Sequence, residues 1–142
     1  MNIEQVTLFQ IERTSKLSRL YAQRELDRLG LNITIEQWII MKIVHENERI
    51  SQKELAIKSL WDAASITRTL DLLQKKNFTL RQAIPNNRRQ YDIVLTTYGQ
   101  EFIEKNMPVI TAIREKSVEG MTSSEIQMLS RLMERIQENM KL

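Results

Sequence analysis

The sequence contains no cysteine, three glycines and two prolines among its 142 residues. Without cysteine the chain cannot form disulfides, thiolate metal sites or a thiol redox switch. So few glycines and prolines disfavour long irregular loops and favour long helices. No apolar run approaches the roughly 20 residues that a membrane-spanning helix needs, and the start, MNIEQVTLFQ, lacks the basic-then-apolar pattern of a secretion signal. We therefore expect a cytoplasmic protein without a membrane partner.

Residue patterns for catalysis are also scarce. The single histidine, His45, has no HExxH motif, no cysteine partner and no clear Ser or Asp companions, and Gly-rich phosphate loops are absent. The acidic pairs Glu101/Glu104 and Glu134/Glu138 have the spacing of solvated helix faces. The sequence therefore predicts a protein that is not an enzyme and that carries no metal and no cofactor.

The positive charge of the chain is concentrated in its middle. Residues 51–97 contain eight Lys and Arg against four Asp and Glu, whereas the rest of the chain contains 13 basic and 14 acidic residues. A basic segment on a nearly neutral protein suits a polyanionic partner.

This basic segment contains a predicted amphipathic helix, which we call the reader helix, from the N-cap Asp62 to about Lys76. Ile66, Leu70 and Leu73 fall on one side at i, i+4 and i+7. Small or basic residues fall on the exposed side, and four of them are candidates for contact with bases or phosphates: Ala64, Ser65, Thr67 and Arg68. Asp71, three residues after Arg68, could pair with it.

A basic hairpin follows the reader helix, and Pro85-Asn86-Asn87 supplies its turn. Phe78 and Leu80 alternate with Thr79 and Arg81, so we expect the first two to face inward and Arg81 to face outward, towards phosphates. Three residues near the tip are candidates for a narrow minor groove, where the negative potential is enhanced: Asn87, Arg88 and Arg89.

Helices flank this segment on both sides. A helix over about residues 2–29 should end at Gly30, and a nearly all-apolar helix over 35–44 should lie centrally. Ser-x-x-Glu and Thr-x-x-Glu/Gln patterns predict four capping boxes: Thr34/Gln37, Ser51/Glu54, Thr97/Gln100 and Thr122/Glu125. Ser51 and Gln52 thus begin a short helix whose free N–H groups could bind a phosphate.

The C-terminal helices should begin at about residue 98, and Pro108 should kink or break the first of them. Apolar residues of the last helix follow a spacing close to 3.5: Ile126, Leu129, Leu132 or Met133, Ile136 and Met140. Both ends of the chain thus carry more apolar surface than one small core can cover, so a symmetric dimer is predicted.

A small-ligand pocket is a second hypothesis for the central helix. Trp38, Met41 and His45 occur at i, i+3 and i+7 and could line a pocket with Tyr21 or Leu17. Core packing explains the same spacing and is the favoured interpretation.

The segment NNRRQYDIVLTTYGQEFI resembles the wing pattern of the MarR family of transcriptional regulators, in which Asp-x-Arg is followed by Leu-Thr and Gly. Arg89, Leu95, Thr96 and Gly99 fit this register, and SITRTLDLLQKKNFTLR resembles the reader helix and first wing strand of the family. ITIEQWIIMKIV and SQKELAIKS resemble its two preceding helices. The chain differs in having Asn87 where the family has Asp, and Asn77 where it has Gly.

The resemblance implies a mainly α (α+β) winged helix-turn-helix fold, with a core over about 34–97 and dimerisation helices over about 2–29 and 98–141 of a single domain, 1–142. It also implies a homodimeric repressor that binds a pseudo-palindromic DNA operator and is released by a small molecule, often an aromatic one. The alternative is a winged-helix module that docks its basic wing on an acidic protein.

Overall fold

The computed structural model describes all 142 residues and contains six α-helices and three short strands. In chain order they are a 3₁₀ turn at Ile3–Gln5, α1 Thr7–Arg28, α2 Ile35–His45, β1 Ile50–Ser51, α3 Gln52–Ser59, α4 Ala63–Lys75, β2 Thr79–Ile84, β3 Asn87–Leu95, α5 Thr97–Ser117 and α6 Ser123–Asn139. This order confirms the mainly α winged helix-turn-helix prediction. The chain forms two compact units, Met1–Met107 and Pro108–Leu142, and no helix is both long and apolar enough to cross a membrane.

The N-terminal helix is shorter than predicted. Val6 is extended (φ −75°, ψ 123°) and separates the 3₁₀ turn from α1. A capping box between Asn2 and Gln5 closes that turn on itself, so these residues do not continue the helix. At the other end Gly30 has φ +71°, which confirms it as the left-handed residue after the helix.

Helix α2 lies at the centre of the core, as its all-apolar pattern predicted. Trp38, Ile40 and Met41 are almost completely buried. The capping box of Thr34 and Gln37 is formed by both of its hydrogen bonds. Burial of these large side chains stabilises this unit, by about 1.5–3 kcal/mol for each fully buried apolar side chain.

The caps of the next two helices differ from each other. Asp62 caps α4 by accepting a hydrogen bond from the N–H of Ser65 at 2.8 Å. Ser51 caps α3 by accepting from the N–H of Glu54, but the Glu54 carboxylate accepts from the Ser51 hydroxyl and not from its backbone N–H. Only half of the predicted Ser51/Glu54 box is therefore formed.

The sheet has three antiparallel strands in the order β1-β3-β2, and β1 was not predicted. Ile50 pairs with Ile93, and Ser51 pairs with Asp92. The predicted facing of β2 is wrong at two positions, since Thr79 is buried whereas Leu80 is 47% exposed. In β3, Ile93 is buried whereas Tyr91 is 42% exposed.

The start of α5 is fixed against the end of α4. Thr96, and not the predicted Thr97, caps the helix by accepting from the N–H of Gly99 at 2.9 Å, while its hydroxyl donates to the carbonyl of Asn77 at 2.6 Å. A Cβ atom at Gly99 would overlap the carbonyl oxygen of Phe78. Phe78 also stacks on Tyr98, with ring centroids 5.1 Å apart. The base of the hairpin and the first turn of α5 therefore form one packed junction.

The second unit contains the end of α5 and all of α6. We predicted a kink or a break at Pro108; α5 remains helical through this residue, so there is no break. Gly120 has φ +84°, and the Thr122/Glu125 box that starts α6 is complete. No residue of α6 is buried, and its exposed apolar side chains include Ile126, Leu129 and Leu132.

Candidate nucleic-acid interface

Helix α4, the predicted reader helix, is amphipathic in the way its sequence indicated. Ile66, Leu70 and Leu73 are almost completely buried, and this anchors the helix on the core. The predicted contact residues lie on the other side, where Ala64, Thr67 and Arg68 are exposed and Ser65 is half-buried. The helix thus presents hydroxyl and guanidinium groups to solvent from a rigidly held backbone.

The N-cap residue of α4, Asp62, is the first of three residues that are connected by side-chain hydrogen bonds; the third is Arg68. The second oxygen of Asp62 accepts from the Ser65 hydroxyl at 2.8 Å, and the Arg68 guanidinium lies 3.4 Å from that hydroxyl. Two hydrogen bonds from Ser65 hold the pKa of Asp62 below its usual value. The one from the backbone N–H has the larger effect and the one from the hydroxyl the smaller. Arg68 is therefore oriented by Ser65, and the predicted pairing of Arg68 with Asp71 is wrong.

Asp71 instead binds Arg81 of strand β2. The two groups are 2.8 Å apart, and the Arg81 guanidinium also donates to the Gln74 side chain at 3.2 Å and to the Thr67 carbonyl at 3.4 Å. The predicted outward orientation of Arg81 is wrong, because its side chain is only 20% exposed and lies along α4. No local sequence pattern indicates this contact, since it joins residues ten positions apart.

The wing, which we define as residues 79–95, carries its basic residues near the tip. Arg88 and Arg89 are exposed, and neither takes part in any ion pair of the structure. Asn86 has φ +65° in the turn. The register changes between Ala83 and Ile84, which pair with Tyr91 and Asn87, so residues 88–90 form a bulge and the two guanidinium groups are free for an anionic partner.

The beginning of α3 lies beside α4 and the wing. Ser51 is buried and its hydroxyl is used by the helix cap, while the Gln52 amide donates to the Thr67 hydroxyl at 2.8 Å. A cavity of about 390 Å³ separates these elements. Its lining includes two cationic side chains, Lys53 and Arg89, which suits a phosphate that passes between reader helix and wing.

The five residues of the hypothetical ligand pocket differ in their burial. Trp38 and Met41 are buried in the core, and Trp38 packs at 6.4 Å from the ring of Phe102. Tyr21 and His45 are half-buried and Leu17 is exposed. The indole Nε1 of Trp38 and Nδ1 of His45 are buried without a hydrogen-bond partner. Core packing, the favoured alternative, describes Trp38 and Met41.

A second cavity, of about 420 Å³, lies between α1, α2 and the start of α4. Its lining is Arg19, Glu36, Leu60, Trp61, Asp62, Ser65, Arg68 and Thr69. Arg19 pairs with Glu36 at 3.0 Å, and its guanidinium carbon lies 5.3 Å from the centre of the Trp61 ring. Arg19 and Glu36 were missed as site residues, since nothing in their local sequence marks them.

Comparison with known proteins identifies the fold. The MarR family model matches residues 33–91. A MarR/EmrR family transcriptional regulator from Acinetobacter sp. ADP1 superimposes with a TM-score of 0.89 at 20% identity, over 99% of this chain and 98% of that one. A mutant MarR from E. coli, complexed with operator DNA, has a TM-score of 0.82 at 22% identity over 96% and 98%.

A third similar structure concerns regulation of DNA binding by 6-hydroxynicotinic acid in BpsR of Bordetella bronchiseptica. Its TM-score is 0.85 at 14% identity, over 96% of both chains.

Proposed function

We propose that this chain, whose residues 33–91 match the MarR family model, is a sequence-specific, double-stranded DNA-binding transcriptional regulator without enzymatic activity that works in the cytoplasm. The observation that carries the proposal is the pairing of two exposed basic features in one lobe. Arg68 projects from a helix of the right size for a major groove, and the unpaired Arg88 and Arg89 project from the neighbouring wing.

Each part of the interface has its own role in this proposal. The α4 residues Ser65, Thr67 and Arg68 contact base edges, with Ala64 packed against them. The wing residues Asn87, Arg88 and Arg89 enter the adjacent minor groove. Ser51 and Gln52 bring the first N–H groups of α3 close to a backbone phosphate. Arg81 contributes little direct contact, because Asp71 already neutralises it.

The regulator acts as a homodimer. α1 exposes Leu8, Leu17 and Leu20, and in the other unit α6 exposes Ile126 and Leu129. Apolar helix faces of this kind are buried when two copies associate, and a twofold dimer then requires a pseudo-palindromic operator with half-sites about 10 bp apart. Occupation of such an operator represses the promoter that contains it.

A small aromatic acid releases the regulator from DNA in this proposal. The 420 Å³ cavity beside Arg68 has the volume of a small-molecule site and offers the Trp61 ring and two arginines, Arg19 and Arg68. A carboxylate bound there would compete with DNA for the Arg68 guanidinium. Titration with hydroxylated aromatic acids should quench Trp61 fluorescence and release the duplex together, and Trp61→Leu should remove both effects.

Selection from a random duplex pool with the purified protein tests the function directly. We expect a pseudo-palindromic site to be enriched, and its affinity to fall steeply with salt, as log K against log salt with a slope of about −0.9 per phosphate contact. If no duplex is enriched at low salt, the DNA-binding proposal is wrong, and binding of the wing to an acidic protein becomes the better explanation.

A further inference from the structure

The Arg81–Asp71 contact joins the middle of the wing to the reader helix. Arg81 lies in the regular part of the hairpin, opposite the buried Ile93 and well before the bulge. Its three acceptors, Thr67, Asp71 and Gln74, are spaced at i, i+4 and i+7, so they form one stripe along α4. One guanidinium group thus spans two turns of the helix.

A second contact reaches the same stripe from α3. The Gln52 amide donates to the Thr67 hydroxyl at 2.8 Å, next to the Thr67 carbonyl that accepts from Arg81. This side of α4 is therefore held by hydrogen bonds from both α3 and the wing, which restricts the rotation of the helix about its own axis.

We propose that Arg81 and Asp71 form a strut that sets the distance and angle between the reader helix and the wing, and that both are positioning residues for DNA binding. This inference rests on the proposed function. The reader helix and the wing address different grooves of one duplex, so their separation fixes how many base pairs lie between the bases that α4 contacts and the minor groove that the wing enters. The strut thereby makes the protein selective for the spacing inside each half-site.

Asp71→Asn distinguishes this role from direct electrostatics, because the two predict opposite changes. Asp71 is 63% exposed, and removing an acid from a DNA-binding surface should by itself tighten binding to every duplex. If Asp71 holds the strut, Asn weakens binding to the selected duplex several-fold, while binding to unrelated duplexes stays equal or tightens. The ratio of specific to non-specific affinity must therefore fall.

The spacing itself is tested with variants of the selected duplex in which one base pair is added or removed between the α4 bases and the wing's minor groove. The wild-type protein should discriminate at least tenfold against these duplexes, and Asp71→Asn and Arg81→Lys should lose most of that discrimination. Lys keeps the charge but cannot reach three acceptors in a fork. Because Arg81→Lys retains the cation, its salt slope should match that of the wild type.

Asp92→Asn is the matched control, since it makes the same chemical change on β3, and Asp92 pairs with Gln82 on the opposite face of the hairpin from Arg81. Circular dichroism and thermal unfolding establish that each variant is folded, and Arg81→Lys replaces Asp71→Asn if the latter is not. If the folded variants keep the wild-type affinity ratio and spacing discrimination, the strut proposal is wrong. If the wild type selects no duplex, the proposed function fails instead.

Discussion

The side-chain oxygen of Asn87 accepts a hydrogen bond from the backbone N–H of Arg89 at 3.1 Å. An acidic residue at this position could form an ion pair with an arginine side chain, but the amide here holds the backbone and leaves the Arg89 guanidinium free. The bulge is thus stabilised from within, and the direction in which Arg89 leaves it is fixed.

Loss of this hydrogen bond should weaken DNA binding moderately. A single neutral hydrogen bond contributes about 0.5–1.5 kcal/mol, so we expect Asn87→Ala to raise the Kd for the selected duplex roughly two- to tenfold, and Arg89→Ala to raise it further. Gel-shift titration measures both. Asn87→Ser keeps a shorter, uncharged side-chain acceptor for the same turn hydrogen bond and serves as the control for the brace. An Asn87→Ala protein with wild-type affinity would show that the brace has no role in binding.

Arg68→Ala should relax base preference at one position of each half-site. A bidentate arginine contact discriminates against the wrong base by about 1–3 kcal/mol, and the exposed Arg68 guanidinium is already directed by Ser65. Selection repeated with the variant should give a motif that is flat at one position and unchanged elsewhere. Lys75→Ala, which removes an exposed cation from the last turn of the same helix, should leave the motif intact.

Acid should weaken the start of the reader helix through Asp62. Hydrogen bonds from Ser65 lower the pKa of Asp62 in the folded protein below its usual 3.8. The stabilisation is therefore complete above the unfolded pKa and is lost as pH falls through the folded pKa. Thermal unfolding between pH 2 and 6 should show a smaller acid-dependent decrease in Asp62→Asn than in wild type. Equal pH dependence in both proteins would contradict the role of the cap.

Gly99→Ala should destabilise the protein more than Gly120→Ala. At Gly99 the added Cβ would overlap the Phe78 carbonyl, and overpacking of this kind costs about 1–3 kcal/mol. Gly120 has φ +84° with no atom within 4 Å of the added Cβ, so Ala there costs only the left-handed backbone strain of about 1–2 kcal/mol. Urea unfolding at constant m-value compares the two, and Gly99→Ala should show the lower midpoint.

Features that depend on neighbouring residues in the chain were predictable from the sequence. The caps at Thr34, Asp62 and Thr122 and the left-handed Gly30 all match the structure. In each case a single side chain, or the lack of one, satisfies a backbone requirement within a few residues. The order of the helices and of the two hairpin strands followed from these signals and from apolar periodicity.

Features that depend on contacts between distant residues were not predictable. Strand β1 has two residues, and only its pairing with β3 defines it. The alternating pattern of β2 predicts that Arg81 faces outward, but its guanidinium donates to acceptors on α4 and its side chain therefore lies against that helix. The cap of α5 is Thr96 and not the predicted Thr97, because the hydroxyl of Thr96 can also donate to the carbonyl of Asn77 across the junction.

Because of the bulge in β3, the number of residues in the wing tip can change without changing how the two strands pair at the base of the hairpin. Ala83 pairs with Tyr91 and Arg81 with Ile93, whereas residues 88–90 have no partner on β2. An insertion or deletion among those three residues therefore leaves every pair below Ala83 in place, and with it the inward side of the hairpin. Wing tips of other lengths and charges could therefore replace this one without repacking the core.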